Sequence, residues 1–226
     1  MGFQIRIWHS WISIHYFRRG ERALKQRLLI ATSNRGKLRE VQEILGTSQF
    51  ELLTLADFPK VQPVAETGAT FAENASLKAS GYANQTDTLT LADDSGLEID
   101  ALGRAPGVKS ARFLGEAVSY DERNRTILEQ LQHEQNREAR FVCVIAIAAH
   151  EGRLLHRSTG ICEGRIARSA RGTHGFGYDP IFIPGGYELT FGELPTELKN
   201  RISHRARAIE SARQFLRSLT ASSAAG

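Results

Sequence analysis

From Leu28 onward, short apolar runs alternate with amphipathic stretches, a pattern that predicts interleaved strands and helices. Residues 28–31 are an apolar, strand-sized run. A polar turn at 32–37 follows, and then Leu38, Val41, Ile44 and Leu45 recur at helical spacing. A second helix opens at Thr70, where Thr70-x-x-Glu73 has the form of a capping box ahead of Ala75, Ala79 and Tyr82. Leu89 and Leu91 lead a short strand into Asp93-Asp94-Ser95-Gly96. Leu97, Ile99 and Ala101 then alternate with polar neighbours, so the two carboxylates are expected at a turn between strands.

Residues 104–115 read as a loop around Pro106-Gly107, after which Ser119-x-x-Glu122 caps a third helix through Ile127, Leu128 and Leu131. The apolar run 141–149, turning at Glu151-Gly152 into 154–161, predicts a hairpin at the core of a sheet. A glycine-dense stretch, 172–179, precedes one final helix from about Lys199, with Ile202, Ala206, Ile209, Leu216 and Leu219 on one face. The Ala/Ser-rich residues 220–226 read as a frayed tail.

Composition narrows the class. With 41% hydrophobic and 24% charged residues, 20 glycines and only 6 prolines, the chain is neither disordered nor fibrous, and one large domain or two small lobes are expected. No apolar run reaches the roughly 18 residues that would suggest a transmembrane helix. Cys143 and Cys162 stand apart, without C-x-x-C or metal-spaced histidines, which disfavours a disulfide scaffold or a zinc site and makes a reducing cytoplasm the default.

The formal charge of +4 is less informative than its location. Arg6, Arg18, Arg19, Arg22 and Lys25 face only Glu21, so residues 1–26 carry the whole excess and the rest of the chain is balanced. A field suited to nucleic acid is therefore unsupported over the main body. In residues 1–26 polar positions interrupt Trp8, Trp11, Ile12, Ile14, Tyr16 and Phe17, and no small-residue cleavage site follows. The segment is read as a non-catalytic N-terminal extension, with a membrane-surface segment as the rival reading.

Four polar clusters fall at element ends, where side chains can converge on a cleft. Thr32, Ser33, Asn34, Arg35, Gly36 and Lys37 form a strand-to-helix turn that is either a phosphate seat or a solvated helix cap. It is not a Walker A loop, because Ala31 replaces the first glycine and Leu38 the hydroxyl residue after the lysine. A second cluster holds Glu66, Thr67 and Gly68 with Phe71, Glu73, Asn74 and Lys78.

The third cluster, Asp93-Asp94-Ser95-Gly96, pairs like charges that require solvent or a cation. With a glutamate from elsewhere the oxygen-only donors suit Mg²⁺; an Asx-type turn is the alternative. Asp-Ser-Gly also occurs in aspartic proteases, but there apolar residues precede the aspartate, whereas here Asp93 does. In the fourth cluster, Phe176, Gly177, Tyr178 and Asp179 join Ser203, His204 and Arg205, and are either a base-stacking site with donors for a carbonyl edge or ordinary core.

Taken together and in this order, LLIATSNRGKLREV, ETGATFAENASLKA, LADDSGLEIDALGRAPGVKSAR, GTHGFGYDPIFIP and ISHRARA closely resemble the inosine/xanthosine triphosphate pyrophosphatase family, from about Arg27 to Leu219. The resemblance implies an α/β fold with an elongated, twisted mixed sheet, flanking helices and two lobes around a central substrate cleft. It implies a homodimer and Mg²⁺-dependent hydrolysis of non-standard purine triphosphates (dITP, ITP, XTP) to monophosphate and pyrophosphate, with no nucleic-acid or membrane partner.

By the same resemblance, residues 32–37 cradle the triphosphate, Glu66 and Asp94 hold the metal, and Asp94 accepts the proton. Ser95 contacts substrate, Phe176, Gly177, Tyr178, Asp179 and Lys199 form the nucleobase pocket, and His204 and Arg205 read the purine edge. Ala65 departs from the pattern, where many relatives have a second acid. His174 stands where a glycine is usual and is expected to point to solvent, with a substrate contact as the alternative. A related pyrophosphatase for other modified nucleotides, or a catalytically silent nucleotide-binding module, are the competing functions.

Overall fold

The computed structural model describes residues 25–46 and 50–224, with side chains described through residue 219, so of the extension read at residues 1–26 all but Lys25 and Gln26 lies outside the described residues, and Gln26 already belongs to the first strand. Strand β1 (Gln26–Ile30) runs into helix α1 (Arg35–Leu45), and β2 (Phe50–Thr54) returns parallel to β1. Helix α2 (Phe71–Thr86) begins at the capping box read from the sequence: the Thr70 hydroxyl accepts from the Glu73 N–H, and the Glu73 carboxylate accepts from the Thr70 N–H. Small residues Ala75, Ala79 and Ala83 let this helix lie close against the sheet.

Strand β3 (Thr90–Ile99) corrects the sequence expectation, because Asp93–Gly96 is not a turn but the middle of one continuous strand. Ten successive residues of β3 pair antiparallel with β4 (Glu138–Ala149), from Thr90↔Ala148 to Ile99↔Ala139, and that pairing overrides the local turn preference. Gly96 serves close approach, since a Cβ there would lie 2.3 Å from Ser110 Oγ and 2.4 Å from the Gly107 carbonyl. The alternation of a strand sends the Asp93 and Asp94 side chains to opposite faces.

The hairpin of β4 and β5 (Arg153–Ile166) was expected, although both strands are longer than their apolar runs. With β6 (Phe182–Pro184) the sheet order is β2-β1-β3-β4-β5-β6, parallel among the first three and antiparallel beyond. Helix α3 (Tyr120–Gln130) starts at Ser119, whose hydroxyl accepts from the Glu122 N–H. Three apolar clusters make the core. One lies under α2, a second under α1 and the C-terminal helix on the other face, and the third gathers Leu97, Ile99, Phe141, Ile166 and Phe182 at the far ends of the long strands.

The expected single C-terminal helix is two, α4 (Thr196–Ile202) and α5 (His204–Ala224). Ser203 stands between them in an extended conformation and its hydroxyl accepts from the Ala206 N–H, capping α5 where a continuous helix would have no use for the bond. The break sends Ile202 to the distal core and Ile209 and Leu216 to the other. At the far end α5 continues past Thr220 to Ala224.

Helix α5 sits so close to β5 that a Cβ on Gly160 would fall 2.0 Å from the His204 carbonyl oxygen and 2.5 Å from the Ala208 nitrogen. Backbone atoms cannot yield as a flexible side chain does. Gly160→Ala is expected to cost about 1–3 kcal/mol, read as a lower urea midpoint at unchanged slope.

Candidate active site

Strand β1 flanks β3 only at Leu29–Ile30 against Thr90–Leu91, so the second half of β3 has lost its neighbour on that side. A cavity of about 500 Å³ opens there, beside the C-terminal end of β1. Every residue to which the resemblance gave a role lines it except Arg35, which is exposed, and Gly36; several other cluster members, Asp93 and Ser203 among them, lie outside its lining. Gly36 acts indirectly: a Cβ would come within 2.6 Å of the Phe176 ring, so only glycine lets that ring pack on the start of α1.

Local bonds shape the first wall. Asn34 caps α1, its Oδ1 accepting from the Lys37 N–H at 3.1 Å, while the Thr32 hydroxyl accepts from the Asn34 N–H. The cap fixes where the Lys37 side chain leaves the helix, and its ammonium reaches Asp93 at 3.1 Å. The helix-cap and phosphate-seat readings are therefore compatible, since the cap positions the cation.

Asp93 and Asp94 have different surroundings. Asp93 is buried and meets Lys37, Arg205 at 3.2 Å and the Ser95 hydroxyl. Burial opposes its charge, but Lys37, Arg205 and Lys78 outweigh it and hold the carboxyl well below its ordinary value. Asp94 lines the cavity, and burial raises its pKa despite Lys78 and Lys37, with Glu66 and Asp93 adding to the rise.

The Lys78 ammonium lies 3.1 Å from Glu66 Oε1 and 3.8 Å from Asp94 Oδ1, so those two carboxylates are no further apart than the sum of these distances. Burial penalises this ammonium, yet Asp93, Asp94 and Glu66 together raise its pKa. Among the described residues the buried Asp94 Oδ2 has no hydrogen-bond partner. Among the described residues no group of three or more His, Cys, Asp or Glu side chains forms a cation cage. Glu66 and Asp94 thus offer two oxygen donors, the set a hard cation uses when water and substrate supply the remainder.

The second wall comes from residues 176–179 and the α4–α5 junction. Asp179 is buried and its Oδ2 accepts from the Phe176 N–H at 2.7 Å and from Lys199, so it shapes the loop that carries Phe176. The Tyr178 hydroxyl is spent on the Ser110 carbonyl at 2.8 Å, leaving its ring for the cavity. Lys199 lies over the Phe176 ring, 4.8 Å from its centroid, and pairs with Glu40 at 2.6 Å.

Arg205 gives its terminal nitrogens to Glu40, Asp93 and the Ser95 hydroxyl, and only its buried Nε–H has no partner. The His204 ring stacks on Phe141, and its Nδ1 is also buried and unpartnered. His174 is exposed, with its ring nitrogen 3.1 Å from the Leu194 carbonyl oxygen, and it does not line this cavity.

Burial, with Arg205 and Lys199 nearby, pushes the His204 pKa well below its ordinary 6.5 and keeps the ring neutral. The native state therefore binds fewer protons there than the unfolded chain, so this contribution to stability is present above about pH 6.5 and is lost on acidification. His204→Gln is expected to flatten the stability profile below pH 6.5 by up to about 1.4 kcal/mol per pH unit, measured by urea denaturation at a series of pH values.

Sequence reasoning assigned no role to Glu40, Lys78 or Tyr120. Glu40 and Lys78 carried a legible signal: each sits three residues from an inward-facing position, on the apolar stripes Lys37-Glu40-Val41-Ile44 and Ala75-Lys78-Ala79-Tyr82. Tyr120, edge-on to Tyr178, carried none.

The Ham1 family model matches residues 28–215. A dITP/XTP pyrophosphatase from Desulforamulus reducens is 47% identical over 195 residues, covering 85% of this chain and 96% of the relative. One from Oceanobacillus iheyensis is 43% identical, covering 86% of this chain and all of the relative. Among solved structures, a HAM1 protein from Coxiella burnetii superposes with a TM-score of 0.78 at 42% identity, covering 85% of this chain and 99% of that one. With the family model and these relatives spanning the sheet, the cavity and both carboxylates, the chain belongs to the Ham1 family.

Proposed function

We propose that the protein hydrolyses non-standard purine nucleoside triphosphates, dITP, ITP and XTP, to the monophosphate and pyrophosphate. The observation that carries this reading is that three cavity-lining residues each hold a buried polar atom without a partner: Asp94 Oδ2, an acceptor, together with His204 Nδ1 and Arg205 Nε. Such atoms are costly unless something completes them. A metal-bound triphosphate joined to a keto-purine completes all three. The names of the dITP/XTP pyrophosphatase relatives support the same substrate class.

Glu66 and Asp94 would hold Mg²⁺, which when bound withdraws charge from the phosphates and makes the phosphorus more electrophilic. The protein's own part follows from its charges. Lys37, at the start of α1, faces the phosphates. Asp94, lining the cavity with an unpartnered Oδ2, is placed to take a proton from water. The water oxygen bonds to the α-phosphorus, the α–β bridging P–O bond breaks, and pyrophosphate leaves with its electrons. No covalent enzyme intermediate is required.

Selectivity rests on donors. The Arg205 Nε–H suits the oxygen at the purine 6-position, whereas adenine presents an amino group there and leaves two donors facing each other. An unpaired buried donor costs about 1–3 kcal/mol, so roughly ten- to a hundredfold discrimination is expected per contact. Guanine shares the 6-oxygen and must be refused at its 2-amino group, by pocket shape or by unmatched hydrogen-bond polarity. Pyrophosphate release is to be measured across dITP, ITP, XTP, ATP and GTP, with and without Mg²⁺. Equal rates on ATP and XTP would end the keto-purine reading, and full activity in chelator would end the metal reading.

The same reading makes residues 27–219 the catalytic domain, residues 1–26 dispensable and the protein a cytoplasmic homodimer, with neither nucleic acid nor membrane as partner. The family match beginning at residue 28 supports the first two, which a deletion of residues 1–26 tests by activity. Light scattering tests the dimer.

A further inference from the structure

Five cationic side chains line the cavity: Lys37, Lys78, Arg112, Lys199 and Arg205. Four are already matched. Lys37 and Arg205 reach Asp93, Lys78 reaches Glu66 and Asp94, and Lys199 reaches Glu40 and Asp179. Those four positive charges are held by five carboxylates, Glu40, Glu66, Asp93, Asp94 and Asp179, which leaves Arg112 as the lining cation not already paired. Among the described residues the Arg112 side chain makes no ion pair or hydrogen bond, and it is exposed at the cavity wall. The motif at residues 91–112 ends on it, but neither the resemblance nor any cluster gave it a role.

Its backbone is held firmly. Arg112 ends the short 3₁₀ helix Gly107–Arg112, where the Ser110 hydroxyl accepts from the Leu97 N–H at 2.9 Å and donates to the Gly107 carbonyl at 2.6 Å. The Tyr178 hydroxyl donates to the Ser110 carbonyl, tying the same turn to the base-side loop. Just beyond, buried Arg123 donates from Nε to the Phe113 carbonyl and from a terminal nitrogen to the Gly115 carbonyl, both at 2.7 Å. A fixed Cα with a free guanidinium is a donor whose position is prepared in advance and whose charge is uncommitted.

We propose that Arg112 is a substrate-contacting residue, its guanidinium meeting the phosphate chain of the triphosphate and supplying the positive charge that the other cavity cations have spent on carboxylates. This rests on the pyrophosphatase reading above. A guanidinium–phosphate contact is charge-assisted and is read as roughly a 10- to 100-fold change in affinity.

The test uses the full-length protein and its Arg112→Gln and Arg112→Lys variants. In the presence of Mg²⁺, Arg112→Gln is expected to raise KM for XTP about 10- to 100-fold, and Arg112→Lys to recover part of the loss because it restores charge without the fork. Inorganic tripolyphosphate should inhibit the Gln variant correspondingly less well, while inhibition by inosine, which has no phosphate, stays unchanged. A KM within twofold of wild type would leave Arg112 an ordinary surface arginine and overturn the proposal. So would a matching loss of inosine affinity, which points to a structural effect.

Calorimetric titration of tripolyphosphate into wild type and the Gln variant keeps the two readings separate. If wild type released no pyrophosphate from any nucleotide, the function would fall. Equal tripolyphosphate affinity in the two proteins would still refute Arg112, and a 10- to 100-fold difference would still support it.

Discussion

Asp94→Asn is expected to reduce pyrophosphate release by about 10³-fold or more while nucleotide continues to bind, because it removes a general base and a metal-facing oxygen together. The variant is also expected to be no less stable than wild type. Burial raises the Asp94 pKa, so the folded protein holds this carboxylate charged at a cost at neutral pH, and the isosteric neutral amide relieves it. Steady-state kinetics, nucleotide titration and a urea curve on the same preparation check all three statements. Activity within tenfold of wild type would remove Asp94 from the chemistry, and a large loss of stability would show that its role is structural.

Asp93→Asn separates the neighbours. That side chain holds Lys37 and Arg205 and carries a depressed pKa, so its loss should destabilise the fold as well as the site. A tenfold or greater loss of activity accompanied by a lower urea midpoint is the signature that distinguishes it from Asp94.

Glu40→Gln should have the largest effect on stability. Its carboxylate is buried between Lys199 and Arg205, bridging α1 to both helices at the C-terminal end. Neutralising it leaves two buried cations sharing one fewer counter-charge, which costs about 3–5 kcal/mol when a buried pair is broken from one side. The pH dependence gives a second reading. Burial opposes the charge on Glu40, but Arg205 and Lys199 outweigh it and hold the pKa below the ordinary 4.5. Its stabilisation is therefore present above about pH 4.5 and lost as acid titrates the group, so the variant should lose less stability than wild type on descending through that range. A Glu40→Gln protein as stable as wild type at pH 7 would show that Asp93 and Asp179 suffice to hold the two cations.

Glu40 also shows where sequence reading stopped. The helix containing it was plain from Leu38, Val41, Ile44 and Leu45, while the turn that starts it read either as a phosphate seat or as a cap, and the structure shows Asn34 capping it. What the pattern does not convey is that a glutamate on the inward stripe has partners 159 and 165 positions away, brought alongside only when α4 and α5 fold back over α1. Lys78 was grouped with Glu66 in one polar cluster, but its pairing with Asp94, on a strand beyond the helix, follows only from the packing of α2 against β3. The break at Ser203 escaped for a local reason: serine is an acceptable interior helix residue, and only the Ala206 bond marks it as a cap.

Helices α1 to α3, the caps at Thr70 and Ser119 and the central hairpin were legible in the sequence, because periodicity and capping act over a few residues and leave local marks. The short strands β2 and β6 were not, and the residues of the cleft came from the resemblance of five motifs to a known family. Whether Asp93-Asp94-Ser95-Gly96 turns or extends was not legible either, since its own residues favour a turn and only ten residues of pairing with β4 reverse that preference. The division of labour between the two aspartates was equally invisible. One residue apart on a strand, they face opposite sides, and it is the packing of α1, α2 and α5 around the sheet that gives one an ion lattice and leaves the other an unpaired oxygen.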